Sequence, residues 1–429
     1  MKNLSKFLSL ACGVVLFTSV PLCAQSAKYP LGRTNVVIVG PSNAYDHVLK
    51  AKAYFDFSRS LRNTPQQVGM PTFLFTDSKA KASFALGGFV NFRTAYDFNN
   101  VVGNRDFVTF DIPMSRNIQN QQRILMDGST SRLYFKTVVN TRSLGAIEAY
   151  IETDFRGGNY NLRLREAYIS FMGFTLGQTV TTFCDLGAGF NTIDFEGPNG
   201  YTYGRNLMVQ YKHSFDEHWS MAIAAELPVV SGTYGSDYLS IAQRVPDIPA
   251  YVQYSWNKGQ SHIRASGIFR DLYYGDNGED KVKSEIGWGA QLSGTIKLCS
   301  AVQFYGQVLY GRGITPYISD LQGVGLDLVP SNNSHRMSSP EALTWLAGLQ
   351  VNITPKLPMT IGYSQVRLYE KDSFNPQGYK MAQYIVGNLF YNITRSLNVG
   401  VEYLYGTRYN QNGDFGRASR VQASVQFNF

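Results

Sequence analysis

Residues 420–429 alternate without a break. Val421, Ala423, Val425, Phe427 and Phe429 fall on one side of an extended chain, and Arg420, Gln422, Ser424, Gln426 and Asn428 on the other. Successive side chains of a strand point to opposite faces, so this period of two makes one apolar and one polar surface. A strand that ends by exposing Phe429 suits a sheet closed on itself in lipid, where every backbone N–H and C=O needs a partner within the protein. Closure requires this last strand to pair with the first. One alternating strand also occurs in many soluble sandwiches, so the number and spacing of the repeats decide.

From about residue 85 onward sixteen segments carry strand patterns: 85–97, 130–140, 145–155, 161–171, 173–182, 203–213, 217–227, 249–256, 260–270, 284–298, 301–311, 342–353, 357–369, 380–393, 396–407 and 418–429. The connections after odd-numbered segments are mostly long: 98–129, 183–202, 228–248, 271–283, 312–341, 370–379 and 408–417. Those after even-numbered segments are mostly short, such as 214–216, 257–259, 299–300 and 394–395. An even strand count with alternating long and short connections is the anatomy of bacterial outer-membrane barrels. The fold expected is therefore all-β, a 16-stranded antiparallel transmembrane β-barrel of the porin type, with short periplasmic turns and long extracellular loops. Sixteen strands leave an aqueous lumen, whereas about eight would be filled by side chains.

The faces agree. In 284–298, Ile286, Trp288, Ala290 and Leu292 oppose Glu285, Gln291, Ser293 and Thr295. In 260–270, Ile263, Ala265 and Phe269 oppose His262, Arg264, Ser266 and Arg270. The four Trp fall on the apolar parity. Trp219 and Trp256 lie at the short-turn rim and Trp288 and Trp345 at the long-loop rim, as aromatic girdles require. Composition supports the same class: 16% charged residues, 14% aromatic, 28 Tyr and 40 Gly, with a mean hydropathy of only −0.18. That is too polar for a bundle of transmembrane helices.

The first residues read as a secretory signal over 1–24. Lys2 and Lys6 precede an apolar run over 7–20 that is too short to span a bilayer, and Ala24 offers a small residue for cleavage. Cys23 raises a lipoprotein alternative, against which bulky Leu22 argues. Residues 25–84 form an N-terminal periplasmic extension, with an apolar run at Val36, Val37, Ile38 and Val39 and a possible helix over 44–61 that could aid oligomerisation. The barrel occupies 85–429. Export without a helical anchor places the chain in the bacterial outer membrane, in contact with its lipid. Cleavage leaves Cys184 and Cys299, which is no disulfide framework. Loss of Lys2 and Lys6 takes the formal charge from +8 to +6. The positive charge is scattered along strands without a basic run, which excludes a nucleic-acid site and fits a lumen attractive to anions.

Selectivity in a pore is set at its narrowest ring. In sixteen-stranded porins the third long loop folds inward there. Here that loop, about 183–202, is rich in Gly and carries Asp185, Asp194 and Glu196. The basic residues on the inward parity of the wall are Arg132, Lys136, Arg163, Arg165, Arg264 and Arg270. Opposed acidic and basic groups would set a transverse field. Arg163 and Arg165 could equally pair with Glu148, Glu152 and Asp154 on the neighbouring strand. Parity breaks after Glu166, which predicts a bulge.

Leu162, Arg163, Leu164 and Arg165 are followed by Ala167 and Tyr168, then by Leu176, Gly177 and Gln178, and by Phe183 and Asp185. Asp194, Phe195, Glu196, Gly197 and Pro198 come next, then Arg205 and the terminal Phe429. In these residues the chain resembles the DcaP-like trimeric outer-membrane porins. The resemblance covers roughly 85–429, and its motif part lies within 161–205. It implies a homotrimer of sixteen-stranded barrels that passes small, preferably anionic solutes such as dicarboxylates, with Arg163, Arg165 and Arg205 near the constriction. Cys184 departs from the family pattern, and 25–83 does not match the helical N-terminal segment of some members.

The function expected is a passive diffusion channel for small hydrophilic solutes, anion-preferring. The alternative is a structural or adhesive barrel whose long loops bind a partner. No enzyme, cofactor or metal site is expected. The five His lack metalloprotease spacing, and His262 near Ser266 reads as lumen lining rather than as a hydrolase pair.

Overall fold

The computed structural model describes residues 25–26, 36–39, 72–76 and 81–429, except 116, 370–377 and 395. The expected signal peptide over 1–24 and helix over 44–61 lie outside the described residues. Among the described residues, sixteen antiparallel strands close into a barrel. They are β1 (Ala82–Phe98), β2 (Gln122–Asp127 and Arg132–Asn140), β3 (Ala146–Asp154), β4 (Arg163–Phe171), β5 (Phe174–Val180), β6 (Arg205–Ser214), β7 (Trp219–Glu226) and β8 (Ile248–Trp256). The second half comprises β9 (Ser261–Asp276), β10 (Lys281–Lys297), β11 (Val302–Arg312), β12 (Glu341–Thr354), β13 (Leu357–Tyr369), β14 (Tyr379–Asn392), β15 (Leu397–Asn410) and β16 (Phe415–Asn428).

β16 closes on β1, with Ser419 opposite Phe98 and Asn428 opposite Phe89. Phe429 completes the seam by exchanging backbone hydrogen bonds with Gly88 at 3.0 and 3.1 Å. β1 runs on below that point. There Thr72–Thr76 pairs antiparallel with it, Phe73 opposite Leu86, so the edge below Phe429 is covered. Val36–Val39 pairs parallel with Thr72–Thr76 in turn.

The alternation read from the sequence sets the two faces. In β16, Arg420, Gln422, Ser424 and Asn428 are buried toward the lumen, whereas Val421, Val425 and Phe427 are exposed on the outside. Trp219, Trp288 and Trp345 are exposed on the same outer face, and Trp256 stacks with Tyr254 beside Trp219. Among the described residues no helix is long and apolar enough to cross a membrane; the strands do the crossing.

Three connections differ from expectation. The hairpin after β9 spans only 277–280 and that after β15 only 411–414. The strands there continue beyond the lipid band into water, where the apolar-out pattern has no reason to persist. The segment Gln122–Asp127, read as loop, extends β2 beyond a break at 128–131. Its Ile124 and Met126 are exposed outward, an alternation hidden by the Gly128-Ser129-Thr130 interruption. The predicted bulge is present: Glu152 faces Glu166 while Thr153 faces Leu164, so β4 carries one extra residue, Arg165. The bulge turns both Arg165 and Glu166 inward. Cys184 is buried and Cys299 exposed, both as free thiols.

Candidate functional site

The lumen is unevenly filled. Loops 99–121, 181–204 and 313–340 turn inward and pack on the β9–β16 half of the wall. Phe183, Ile314, Tyr317, Ile318 and Leu321 join Leu309, Val366 and Leu368 in one apolar cluster. Val102, Phe107, Ile112 and Phe190 join Leu346, Tyr384, Val386 and Leu404 in a second. The inner face of β2–β4 is charged instead.

The third loop can be followed contact by contact. It leaves β5 beside β7, where Glu226 accepts from Thr181 Oγ1 and Thr182 N, each at 2.7 Å, and docks next on β9 and β10. Asp185 accepts from Ser293 Oγ at 2.8 Å and lies 2.8 and 3.0 Å from His262 Nε2. Arg264 donates to the Cys184 carbonyl at 2.8 Å. Burial, which raises the Asp185 carboxyl, is outweighed by Arg264, His262 and Ser293, which bring it down to about 2. His262 and Ser293 both address the Asp185 carboxylate. The loop then crosses to β12 and β13. The buried ring of Phe190 lies where Gly348 and Gly362 have no side chains: a Cβ on Gly348 would stand 2.2 Å from Phe190 Cδ1, and one on Gly362 2.3 Å from Cζ. At β15, Glu402 accepts the backbone N–H of Ile193 at 2.8 Å and of Asp194 at 2.9 Å. The Asp194 carboxylate accepts from Phe107 N at 3.0 Å and from Tyr384 Oη at 3.2 Å. On its return the loop runs beside the sixth. Tyr203 N donates to Tyr317 O at 2.9 Å and Ser319 N to Tyr201 O at 3.0 Å.

Between this loop and the β2–β6 wall lies a cavity of about 110 Å³ lined by Arg132, Arg165, Arg205, Glu152, Glu166 and Glu196, with Phe190, Phe195, Tyr201 and Tyr203. Four of the eight site residues named from sequence, Arg132, Arg165, Arg205 and Glu196, thus meet at one place. Arg205, at the start of β6, stacks its guanidinium 4.8 Å from the Tyr203 ring. Arg165 donates to Glu152 and Asp154, each at 2.7 Å. Arg163 holds Asp154 through two hydrogen bonds of 3.0 and 2.6 Å, and its side chain is 41% exposed. The pairing with strand-three acids raised from sequence is therefore present. Lys136 sits apart against Glu148 at 3.1 Å. Burial, then the carboxylates of Asp106, Asp194 and Asp320, hold the Glu196 carboxyl well above its usual range against the pull of Arg156.

Of the three loop acids only Glu196 lines the cavity with Arg132, Arg165 and Arg205; Asp185 lies 4.0 Å from Arg264 on β9. Asp185 and Asp194 anchor the loop. The periodicity of a loop carries no information about which wall each side chain meets, so the sequence could not separate these roles. Arg264 and Arg270 point inward as expected, but neither lines the cavity. Arg270 is buried against Asp247 at 2.9 Å and Asp327 at 3.4 Å, which ties loops 227–247 and 313–340 to the wall. Two residues at the basic wall were not singled out from sequence. Arg156 grips Asp106 at 2.5 and 3.2 Å, joining 155–162 to the first loop. Phe195 was read only as part of a motif. Among the described residues no group of His, Cys, Asp and Glu is arranged to hold a metal ion.

The family described as DcaP outer membrane protein matches residues 75–429. No curated protein matches the chain. Among solved structures, the outer membrane channel DcaP of Acinetobacter baumannii is 21% identical, covering 83% of this chain and 99% of its own, with a TM-score of 0.72. An anion-selective porin from Comamonas acidovorans is 12% identical over 81% of this chain and 100% of its own, with a TM-score of 0.52. OmpF of Salmonella typhi, in complex with daunomycin, is 11% identical over 81% and 98%, with a TM-score of 0.51. At these identities the likeness is one of fold: a closed porin-type barrel. The family match spans the barrel from before its first strand to its last residue, and on it the chain belongs to the DcaP outer membrane protein family and resides in the outer membrane.

Proposed function

We propose that this barrel is a passive diffusion channel for small hydrophilic solutes, that it prefers anions of the dicarboxylate type, and that its third loop forms the constriction. The observation carrying this reading is the convergence of Arg132, Arg165 and Arg205 on one cavity beside that loop. Guanidiniums present planar donors matched to carboxylates, and a low-dielectric wall strengthens their field. The fold likeness to a porin named as anion-selective points the same way. Export by a signal peptide over 1–24, a periplasmic extension over 25–84 and assembly as a homotrimer belong to the same proposal, the last resting on the family resemblance.

The test is conductance and reversal potential of the purified protein in a planar bilayer under a salt gradient. Stable steps with anion preference, weakened in Arg165→Ala and Arg163→Ala, are the expected result. Cation preference would keep the pore and overturn the charge assignment. A second reading has one observation in its favour: loops 99–121, 181–204 and 313–340 fill much of the lumen. On that reading the barrel is closed to ions and its long loops bind a partner, and folded protein without conductance would select it.

A further inference from the structure

Phe195 stands at the centre of the basic wall. Its ring centroid lies 4.3 Å from the guanidinium carbon of Arg156, 5.5 Å from Arg165, 5.8 Å from Arg132 and 6.0 Å from Arg163. These arginines come from β2, β4 and the 155–162 connection, and Phe195 brings the third loop to all four. Each is also paired: Arg156 with Asp106, Arg163 with Asp154, Arg165 with Glu152 and Asp154, and Arg132 with Glu152. The two kinds of contact do not compete. A carboxylate takes the N–H edge of a guanidinium, and an aromatic ring takes its flat face. Of the flanking loop residues, Asp194 is turned away to Phe107 and Tyr384, and Glu196 lines the same cavity as Arg132 and Arg165. The paired carboxylates already offset part of the repulsion among these four like charges, and a ring with negative faces between them offsets more without adding a formal charge of its own.

We propose that Phe195 is a positioning residue for the basic wall. Its ring, set among Arg132, Arg156, Arg163 and Arg165, fixes where those guanidiniums stand, and through them how strongly the pathway favours anions. A residue that only narrows the passage would alter conductance and leave the ratio of anion to cation permeability unchanged. The role rests on the channel reading above, and its test separates the two.

The full-length protein is measured in planar bilayers under a KCl gradient as wild type, Phe195→Leu, Phe195→Tyr and Arg156→Lys. Leucine keeps the apolar bulk and removes the ring. The expected result is a shift of reversal potential toward the cation side, the permeability ratio falling about two- to fivefold, the scale of one part-exposed cation–π contact. Phe195→Tyr retains the wild-type ratio. Arg156→Lys, which keeps the charge and loses the planar face, shifts in the same direction as leucine, and it carries the test if the leucine chain does not fold. An unchanged reversal potential in Phe195→Leu, or equal shifts for leucine and tyrosine, would overturn the role. The wild-type reversal potential alone judges anion preference, and the difference between variant and wild type alone judges Phe195.

Discussion

The seat of Phe190 offers a quantitative check on how the third loop is held. The ring occupies the space left by two glycines on adjacent strands, with distances of 2.2 and 2.3 Å from the Cβ positions that Gly348 and Gly362 lack. Carbon atoms normally approach to about 3.5–4.0 Å, so a methyl group at Gly348 requires the ring to move by more than about 1 Å. The ring is buried, and Leu346, Tyr305 and Leu404 belong to the same cluster, which leaves it little room. Gly348→Ala should therefore cost about 1–3 kcal/mol, the usual range for overpacking. Phe190→Ala should cost about 3–5 kcal/mol, as for other buried rings. In the Phe190→Ala background the clash is gone. There Gly348→Ala should be neutral, or stabilising by about 0.5–1 kcal/mol, because Ala loses less conformational freedom than Gly in a strand. Equilibrium unfolding in urea from lipid vesicles, followed by tryptophan fluorescence, measures the cycle. The expected coupling is about 1–3 kcal/mol. The same cost for Gly348→Ala with and without the Phe190 ring would refute the slot and the path of the loop built on it.

Three further outcomes follow from the loop contacts. Glu402→Ala leaves the N–H groups of Ile193 and Asp194 without an acceptor. At about 1–3 kcal/mol for each orphaned group, it should loosen the loop tip and expose Cys184 to thiol reagents in a Cys299→Ser background, whereas Glu402→Gln should label more slowly. Burial holds the Asp320 carboxyl up at about 6, against the pull of Thr109, Phe110 and Tyr379. The folded state thus binds this proton more tightly than the unfolded chain, so the stability it contributes is full below pH ~4 and is lost as pH rises through ~6. Asp320→Asn should flatten the unfolding midpoint across that window, and an unaltered slope would remove Asp320 as its source. Arg270→Ala leaves the carboxylates of Asp247 and Asp327 buried without their partner and should cost about 3–5 kcal/mol, read as a fall in unfolding midpoint that Arg270→Lys recovers only in part.

Much of the wall was legible from residue order. Period-two alternation identified the outer faces of β9, β10 and β16, the positions of the four Trp, and the need for β16 to meet β1. Parity placed Arg163 and Arg165 inward, and the parity break after Glu166 predicted a bulge, which the structure sets at Arg165. The limits are equally specific. Beyond the lipid band β9 and β10 continue through Tyr273, Asp276, Lys281 and Lys283, residues that alternate in no apolar sense because both faces meet water or protein. Gln122–Asp127 was missed because an interruption at 128–131 split its strand in two.

A strand in a membrane barrel meets lipid on one side and lumen on the other, so each side chain's environment follows from its parity along the chain. That local rule is why the barrel, its strand count and its inward Arg residues could be derived from the sequence by itself. The interior of the lumen obeys no such rule. Whether Asp185 meets His262, Asp194 meets Phe107, Phe190 finds Gly348 and Gly362, or Phe195 enters a group of four arginines depends on contacts between residues tens to hundreds of positions apart. Only the closed tertiary structure brings those partners within reach, and it is there that three loop acids of one sequence type divide into two anchors and one residue of the cavity wall.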